Sequence, residues 1–163
     1  MCEFPSHGRL AAVDFGKARI GIAICDPERI LASPLDVHVV ADWQTDADYF
    51  RSLVEKERIV GFVVGLAIHC DGGESAASRE CRVFARWLAE ETDLPVRLFD
   101  ERHTTADAMS RMSRVGYSKL DKKQRVDAVA AQVILESFLE ASRYSKMFAG
   151  ELIEIPPRDQ GHR

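Results

Sequence analysis

The chain has 163 residues, of which 46% are hydrophobic and 29% are charged, and its formal net charge is -4. This composition is typical of a folded globular protein and excludes a disordered, collagen-like or membrane-embedded chain. The negative net charge argues against a protein that coats nucleic acid through bulk positive charge, so any contact with phosphates has to be local.

The first part of the chain predicts three sequential strands, which indicates a meander. Residues 10–15 form a short apolar run, and residues 19–25 alternate isoleucines with small residues, as a strand with one large-residue face does. A turn at residues 16–18 joins the two. Residues 30–40 predict a third strand, which Pro34 restricts to a sheet edge or a bulge.

Helices and strands then alternate. The spacing of apolar residues predicts four elements in turn, which are a helix at 43–54, a buried strand at 59–64, a helix at 77–88 and a strand at 96–99. A capping box at Thr104 and Asp107 predicts a short helix that ends near Gly116. An apolar stripe predicts a long final helix that begins near Lys122 and runs past Glu136.

This order of elements predicts an α/β fold. We expect a mixed five-stranded sheet in the order 3-2-1-4-5, flanked by helices, with the meander on one side and parallel crossover strands on the other. Residues 1–150 are expected to form one domain. Because two prolines and polar residues follow Gly150, residues 151–163 are expected to form a flexible tail.

Three acidic residues stand at the ends of predicted elements. Asp14 lies on a strand face where the pattern calls for an apolar side chain, so it either caps the Gly16 turn or binds a metal. Glu101 directly follows a predicted strand, and Asp127 lies near the start of the long helix. A strand-end acid and a favourable interaction with the helix dipole are the structural alternatives for these two residues.

The predicted sheet brings two of these acids to one edge. In the order 3-2-1-4-5, the strands that carry Asp14 and Glu101 lie two places apart, about 10 Å between axes. Two metal ions about 4 Å apart, with ligand bonds of about 2 Å, span a similar gap. Oxygen ligands favour a hard ion, so together with Asp127 the pattern predicts two Mg²⁺ or Mn²⁺ ions and phosphodiester hydrolysis.

Residues 14–23 resemble the D-x-G-x-x-R-I-G-x-A opening motif of the YqgF family, also called RuvX. Later stretches match the family in the same order, and the resemblance covers roughly residues 9 to 143. These stretches are Val64-Gly65-Leu66 with Asp71-Gly72, Asp100-Glu101-Arg102 with Thr104-Thr105, and Asp127-Ala128-Val129-Ala130-Ala131 with Ile134-Leu135-Glu136.

The resemblance implies an RNase-H-like fold and a metal-dependent endonuclease. It places the family's catalytic and metal-binding acids at Asp14, Glu101 and Asp127, the residues that the strand pattern also singles out. The favoured substrate is precursor 16S ribosomal RNA at its 5′ end, with the four-way DNA of a Holliday junction as the alternative. We expect a cytoplasmic protein, monomeric or homodimeric, that binds nucleic acid and no membrane.

Further residues near these acids are predicted to hold substrate phosphates, although basic loops are often only solvated surface. The predicted substrate-binding residues are Lys17, Arg19, Arg102, Lys122 and Lys123, together with the backbone amide of Gly72. The sequence departs from the family pattern at Ala67, His69 and His103, where Pro, Asn and Leu are usual. These departures leave the details of substrate recognition open.

Two other classes of function remain open at this point. Actin-like and sugar-kinase-like ATPases begin with a similar Asp-x-Gly hairpin, but they normally need a second lobe, for which 163 residues leave no room. A noncatalytic, transcription-associated factor that binds nucleic acid would keep the basic residues and tolerate loss of the acids. The presence of all three acids favours the nuclease.

Overall fold

The computed structural model describes residues 4–66, 76–100, 122–145 and 147–155. No helix in these ranges is both long and apolar enough to cross a bilayer. The described elements are the strands β1 (Arg9–Asp14), β2 (Arg19–Cys25), β3 (Ala32–Val39), β4 (Ile59–Leu66), β5 (Val96–Asp100) and β6 (Glu151–Leu152), and the helices α1 (Trp43–Glu57), α2 (Ala76–Thr92) and α3 (Lys122–Ser145). The predicted helix between Thr104 and Gly116 lies outside the described residues.

The strands form one mixed sheet in the order β3-β2-β1-β4-β5-β6. The meander of β1, β2 and β3 is antiparallel, whereas β4 pairs in parallel with β1 and β5 in parallel with β4. The predicted α/β class and the order of the first five strands are therefore confirmed. Pro34 lies in the edge strand β3, next to a register shift between Ile22 and Ala23 of β2, as the prediction required.

The sixth strand differs from the sequence expectation. The expected tail begins at residue 151, yet Glu151 and Leu152 form β6 and pair with Leu98 and Arg97 of β5. The guanidinium of Arg97 donates hydrogen bonds to three successive backbone carbonyls, those of Phe148, Ala149 and Gly150. These bonds hold the segment of residues 148–150 next to β5. Local sequence periodicity does not reveal this contact.

The two faces of the sheet carry two separate hydrophobic clusters. Ala11 and Val13 of β1 contribute to the cluster beneath α1 and α2, whose core includes Phe50. Leu10 and Ala12, which alternate with them, contribute to the cluster beneath α3. Because side chains alternate along a strand, the face on which Asp14 lies is the α3 face.

Candidate active site

Asp14 is the last residue of β1 and lies on the α3 face of the sheet. Its cross-strand partner in the antiparallel pair with β2 is Gly21. The parallel neighbours β4 and β5 end at the same edge, since Val13 is level with Val64 and Leu66 is level with Asp100. Ligands of open α/β sheets bind at such an edge.

The contact between α3 and β2 places the backbone of Asp127 against Gly21, the residue that pairs with Asp14. A Cβ atom added to Gly21 would lie 2.0 Å from the backbone oxygen of Asp127 and 3.1 Å from the nitrogen of Ala128. The backbone of α3 therefore rests directly on the residue that pairs with Asp14. Only glycine permits this approach, so Gly21 sets how closely the backbone of Asp127 approaches the strand pair that carries Asp14.

The carboxylate of Asp127 is held in an unusual electrostatic setting. Its Oδ2 atom is buried and, among the described residues, receives no hydrogen bond of acceptable geometry. The Nε atom of Arg19 lies 3.1 Å from the same oxygen, which makes an ion pair without an aligned hydrogen bond. A buried carboxylate oxygen without a donor is costly, because its lone pairs have lost water and gained no replacement.

These acids provide a donor set that fits a divalent metal ion. Carboxylate oxygens are the ligands that Mg²⁺ and Mn²⁺ prefer, and the buried Asp127 Oδ2 is an oxygen that a cation would satisfy. Within the described ranges, no three acidic, histidine or cysteine side chains form a metal-binding cluster. Glu101, the third predicted ligand, lies outside those ranges, immediately after the end of β5.

The predicted phosphate-binding residues that the structure describes belong to β2, to the turn before it and to α3. Arg19 lies beside Asp127, and its side chain is 41% exposed, so the guanidinium also reaches solvent. Lys17 instead extends toward α2, where its ammonium lies 3.5 Å from Oε1 of Glu80. Lys122 and Lys123 belong to the first turn of α3. Arg102 and Gly72 lie outside the described residues, as do Ala67, His69 and His103.

Sequence reasoning missed two features of this region. The alternation in residues 19–25 predicts Gly21 only as a small residue of a strand, although a glycine inside an apolar strand is a known sign of a close backbone approach. The spacing of apolar residues predicts Trp43 as a position on the buried face of a helix, yet Trp43 is 65% exposed. Its exposure depends on how α1 and α2 pack, which the spacing of apolar residues does not report.

The fold is shared with solved resolvase structures. RuvC from Thermus thermophilus in complex with a Holliday junction matches with a TM-score of 0.61 at 15% identity, covering 90% of this chain and 100% of that one. The yeast mitochondrial Holliday junction resolvase matches with a TM-score of 0.52 at 11% identity, covering 88% of this chain and 82% of that one. The predicted RNase-H-like fold is thereby confirmed.

Sequence relatives extend over nearly the whole chain. A Rhodopirellula baltica protein named "Putative pre-16S rRNA nuclease" is 57% identical over 157 residues, covering 96% of this chain and 91% of that protein. A protein of the same name from Koribacter versatilis is 39% identical and covers 82% of this chain and 88% of its own. A family model described as RuvX, Holliday junction resolvase, matches residues 8–141. This chain therefore belongs to the RuvX family.

Proposed function

We propose that this protein is a divalent-metal-dependent endonuclease that hydrolyses phosphodiester bonds of precursor 16S ribosomal RNA during maturation of its 5′ end. The observation that carries the proposal is Asp127, whose buried Oδ2 has no aligned donor in the described structure and whose backbone lies against Gly21, the partner of Asp14. The name of the 57% identical relative supports the choice of RNA as substrate.

In this proposal Asp14 and Asp127 hold the metal together with Glu101. Bound divalent ions would activate the attacking water and stabilise the leaving oxygen of the phosphodiester. The chain's own contribution is positional, because Gly21 fixes the backbone of Asp127 next to the partner of Asp14. Positioning of this kind lowers the entropic barrier to the reaction, provided the acids remain rigid.

Arg19 has two roles in the proposal. Its guanidinium compensates the charge of Asp127 across 3.1 Å, and its exposed part is available to a substrate phosphate. Lys17, Arg102, Lys122, Lys123 and the amide of Gly72 are proposed to hold phosphates further along the substrate. Such contacts position the backbone without reading bases, so we expect recognition by shape and strand structure.

The proposal is tested by offering one protein preparation several substrates. These are a precursor RNA fragment with its 5′ extension, a four-way DNA junction and plain single strands, each with Mg²⁺, with Mn²⁺ or with EDTA. We expect cleavage of the RNA at the 5′ extension, dependent on metal and absent in EDTA. Equal cleavage in EDTA would contradict the metal mechanism, and faster cleavage of the junction would favour the resolvase activity that describes the family.

A further inference from the structure

A cleft of about 690 Å³ lies on the sheet face opposite α3, between α1, α2 and the turn from β1 to β2. A row of four aromatic rings lines it. Phe15 stacks on Phe84 with ring centroids 4.6 Å apart, Phe84 lies 5.7 Å from Trp87, and Trp87 lies 5.2 Å from Trp43. The row runs from Phe15, the residue after Asp14, to Trp43, which is 65% exposed. We call this feature the aromatic cleft.

The aromatic cleft begins at the sheet edge that carries the candidate active site. Phe15 and Lys17 line it, and both belong to the turn that directly follows Asp14. Its other wall starts at Ala76, where α2 begins after β4 has ended at this same edge. Among the described elements, none lies between the turn from β1 to β2 and the cleft, so a polymer that leaves Asp14 along this turn enters the cleft directly.

Two exposed arginines lie beside the aromatic cleft, and their charge suits a polyanion. Arg79 and Arg86 are exposed on α2 beside Trp87, and in the described part of the chain neither forms an ion pair. Three acids among the described residues also line the cleft, and each contacts a polar or basic residue. Glu80 lies 3.5 Å from Lys17, Asp46 accepts from His38 and Asp42 accepts from Thr45.

We infer that the aromatic cleft binds the single-stranded RNA that flanks the scissile phosphate. Unpaired bases stack on Trp43 and Trp87, while Arg79 and Arg86 contact the phosphates between them. Every base has an aromatic face, so this binding is independent of sequence, and it requires unpaired bases because a duplex hides those faces. The inference deepens the proposed function, since it takes RNA as the ligand.

The chain offers a direct probe of this binding. It contains two tryptophans, and both line the aromatic cleft. We expect a single-stranded RNA of about 12 nucleotides, within the site size of single-strand-binding grooves, to quench the tryptophan fluorescence saturably. A fully paired hairpin of similar length should quench little. The measurement uses full-length Asp14→Asn protein in EDTA, so that it needs neither metal nor cleavage.

Variants separate the stacking contribution from the phosphate contribution. Trp43→Ala should weaken binding at least about fivefold, the lower end for loss of one stacked base. Arg79→Gln combined with Arg86→Gln should reduce the slope of log Kd against log salt by about 1.4, as expected for two phosphate contacts on a single strand. Lys56→Gln, at the far end of α1, is the matched control and should change neither quantity.

Two outcomes would overturn the inference. The first is no saturable quenching by single-stranded RNA in protein whose melting temperature is normal. The second is equal quenching by single strand and hairpin, which would indicate general charge attraction. If RNA quenches but the wild-type protein cleaves nothing, the proposed nuclease fails while the cleft assignment stands. If cleavage occurs without quenching, the cleft assignment alone fails, and a protein partner becomes the occupant to test.

Discussion

The two faces of β2 are packed in opposite ways. Beneath α3 this strand presents the small residues Gly21 and Ala23, and the backbone of α3 comes into direct contact with it. On the other face β2 adds Ile20 and Ile22 to the core beneath α1 and α2, where Phe50 is fully buried. Small residues allow a helix to approach closely and fix a polar group, whereas bulky side chains stabilise the fold through buried area. At β2 the α3 face therefore positions a polar group, and the opposite face contributes buried apolar area.

Removal of Asp14 or Asp127, the predicted acids near the α3 face, should have the largest effect on activity. We expect Asp14→Asn and Asp127→Asn each to slow cleavage on the order of a thousandfold, because a ligand of the proposed metal is lost. Melting temperatures should stay near that of the wild type. The matched control Asp48→Asn changes an exposed acid of α1, 3.7 Å from Arg51, and should retain full cleavage. Cleavage that survives in Asp14→Asn would contradict the assignment of the acids.

A single added methyl group on the α3 face should affect both stability and activity. Gly21→Ala places a Cβ 2.0 Å from the Asp127 oxygen, so α3 must move. We expect a loss of about 1–3 kcal/mol in the free energy of unfolding, as for overpacking, together with reduced cleavage. Gly61→Ala is the control, because its Cβ would meet only side-chain atoms of Leu10 and Phe4, at 3.2 Å. Equal effects of the two substitutions, measured by denaturant unfolding and by cleavage, would contradict the special role of the contact at Gly21.

The ion pair between Arg19 and Asp127 gives a smaller expected effect on the α3 face. Arg19→Gln removes a positive charge 3.1 Å from the proposed ligand oxygen. We expect Mn²⁺ to bind about two- to tenfold more tightly in the absence of RNA, because a partly exposed like charge no longer opposes the cation. Calorimetric titration of the metal measures this change. Weaker Mn²⁺ binding would mean instead that Arg19 is needed to orient the carboxylate, and Arg19→Lys would then restore part of the affinity.

The smallest expected effect concerns the start of α1, on the sheet face opposite α3. Asp42 caps α1 by accepting hydrogen bonds from the backbone nitrogen and the hydroxyl of Thr45, which lower the pKa of its carboxyl below the ordinary value. A lowered pKa in the folded state means that this contribution to stability is present above the unfolded pKa of about 3.9. It is then lost as the pH falls through the folded pKa. Asp42→Asn retains the cap without titrating, so its melting temperature should fall less than that of the wild type between pH 5 and pH 2.5. Parallel curves would contradict this role.

Much of the architecture was predictable because local patterns are strong where elements are long. The alternation in residues 19–25 and the apolar stripe from Val126 onward determine β2 and α3 almost unaided. Strand β6 was missed because two residues carry no periodicity, and its position depends on the bonds that Arg97 donates to a distant segment. Local pattern therefore predicts long elements well and short pairings poorly.

The candidate site was predictable in its residue types but not in its contacts. The positions of the acids at the ends of predicted elements, together with the family resemblance, indicate Asp14 and Asp127 from the sequence alone. The close approach at Gly21 joins segments far apart in sequence, so no window of residues contains it. The exposure of Trp43 likewise depends on tertiary packing. The catalytic and metal-binding roles of the three acids remain predictions, as do the substrate-binding roles of Arg102 and Gly72.

The borders of the sheet have a consequence for behaviour at high protein concentration. A long, flat outer strand is a template for pairing with another chain, and this is how many β-rich proteins aggregate. In the described structure one border is β3, where Pro34 removes a donor and a register shift interrupts the pairing. The opposite border is β6, which spans only Glu151 and Leu152. Neither border offers a regular ladder, so concentrated preparations should resist growth into fibrils.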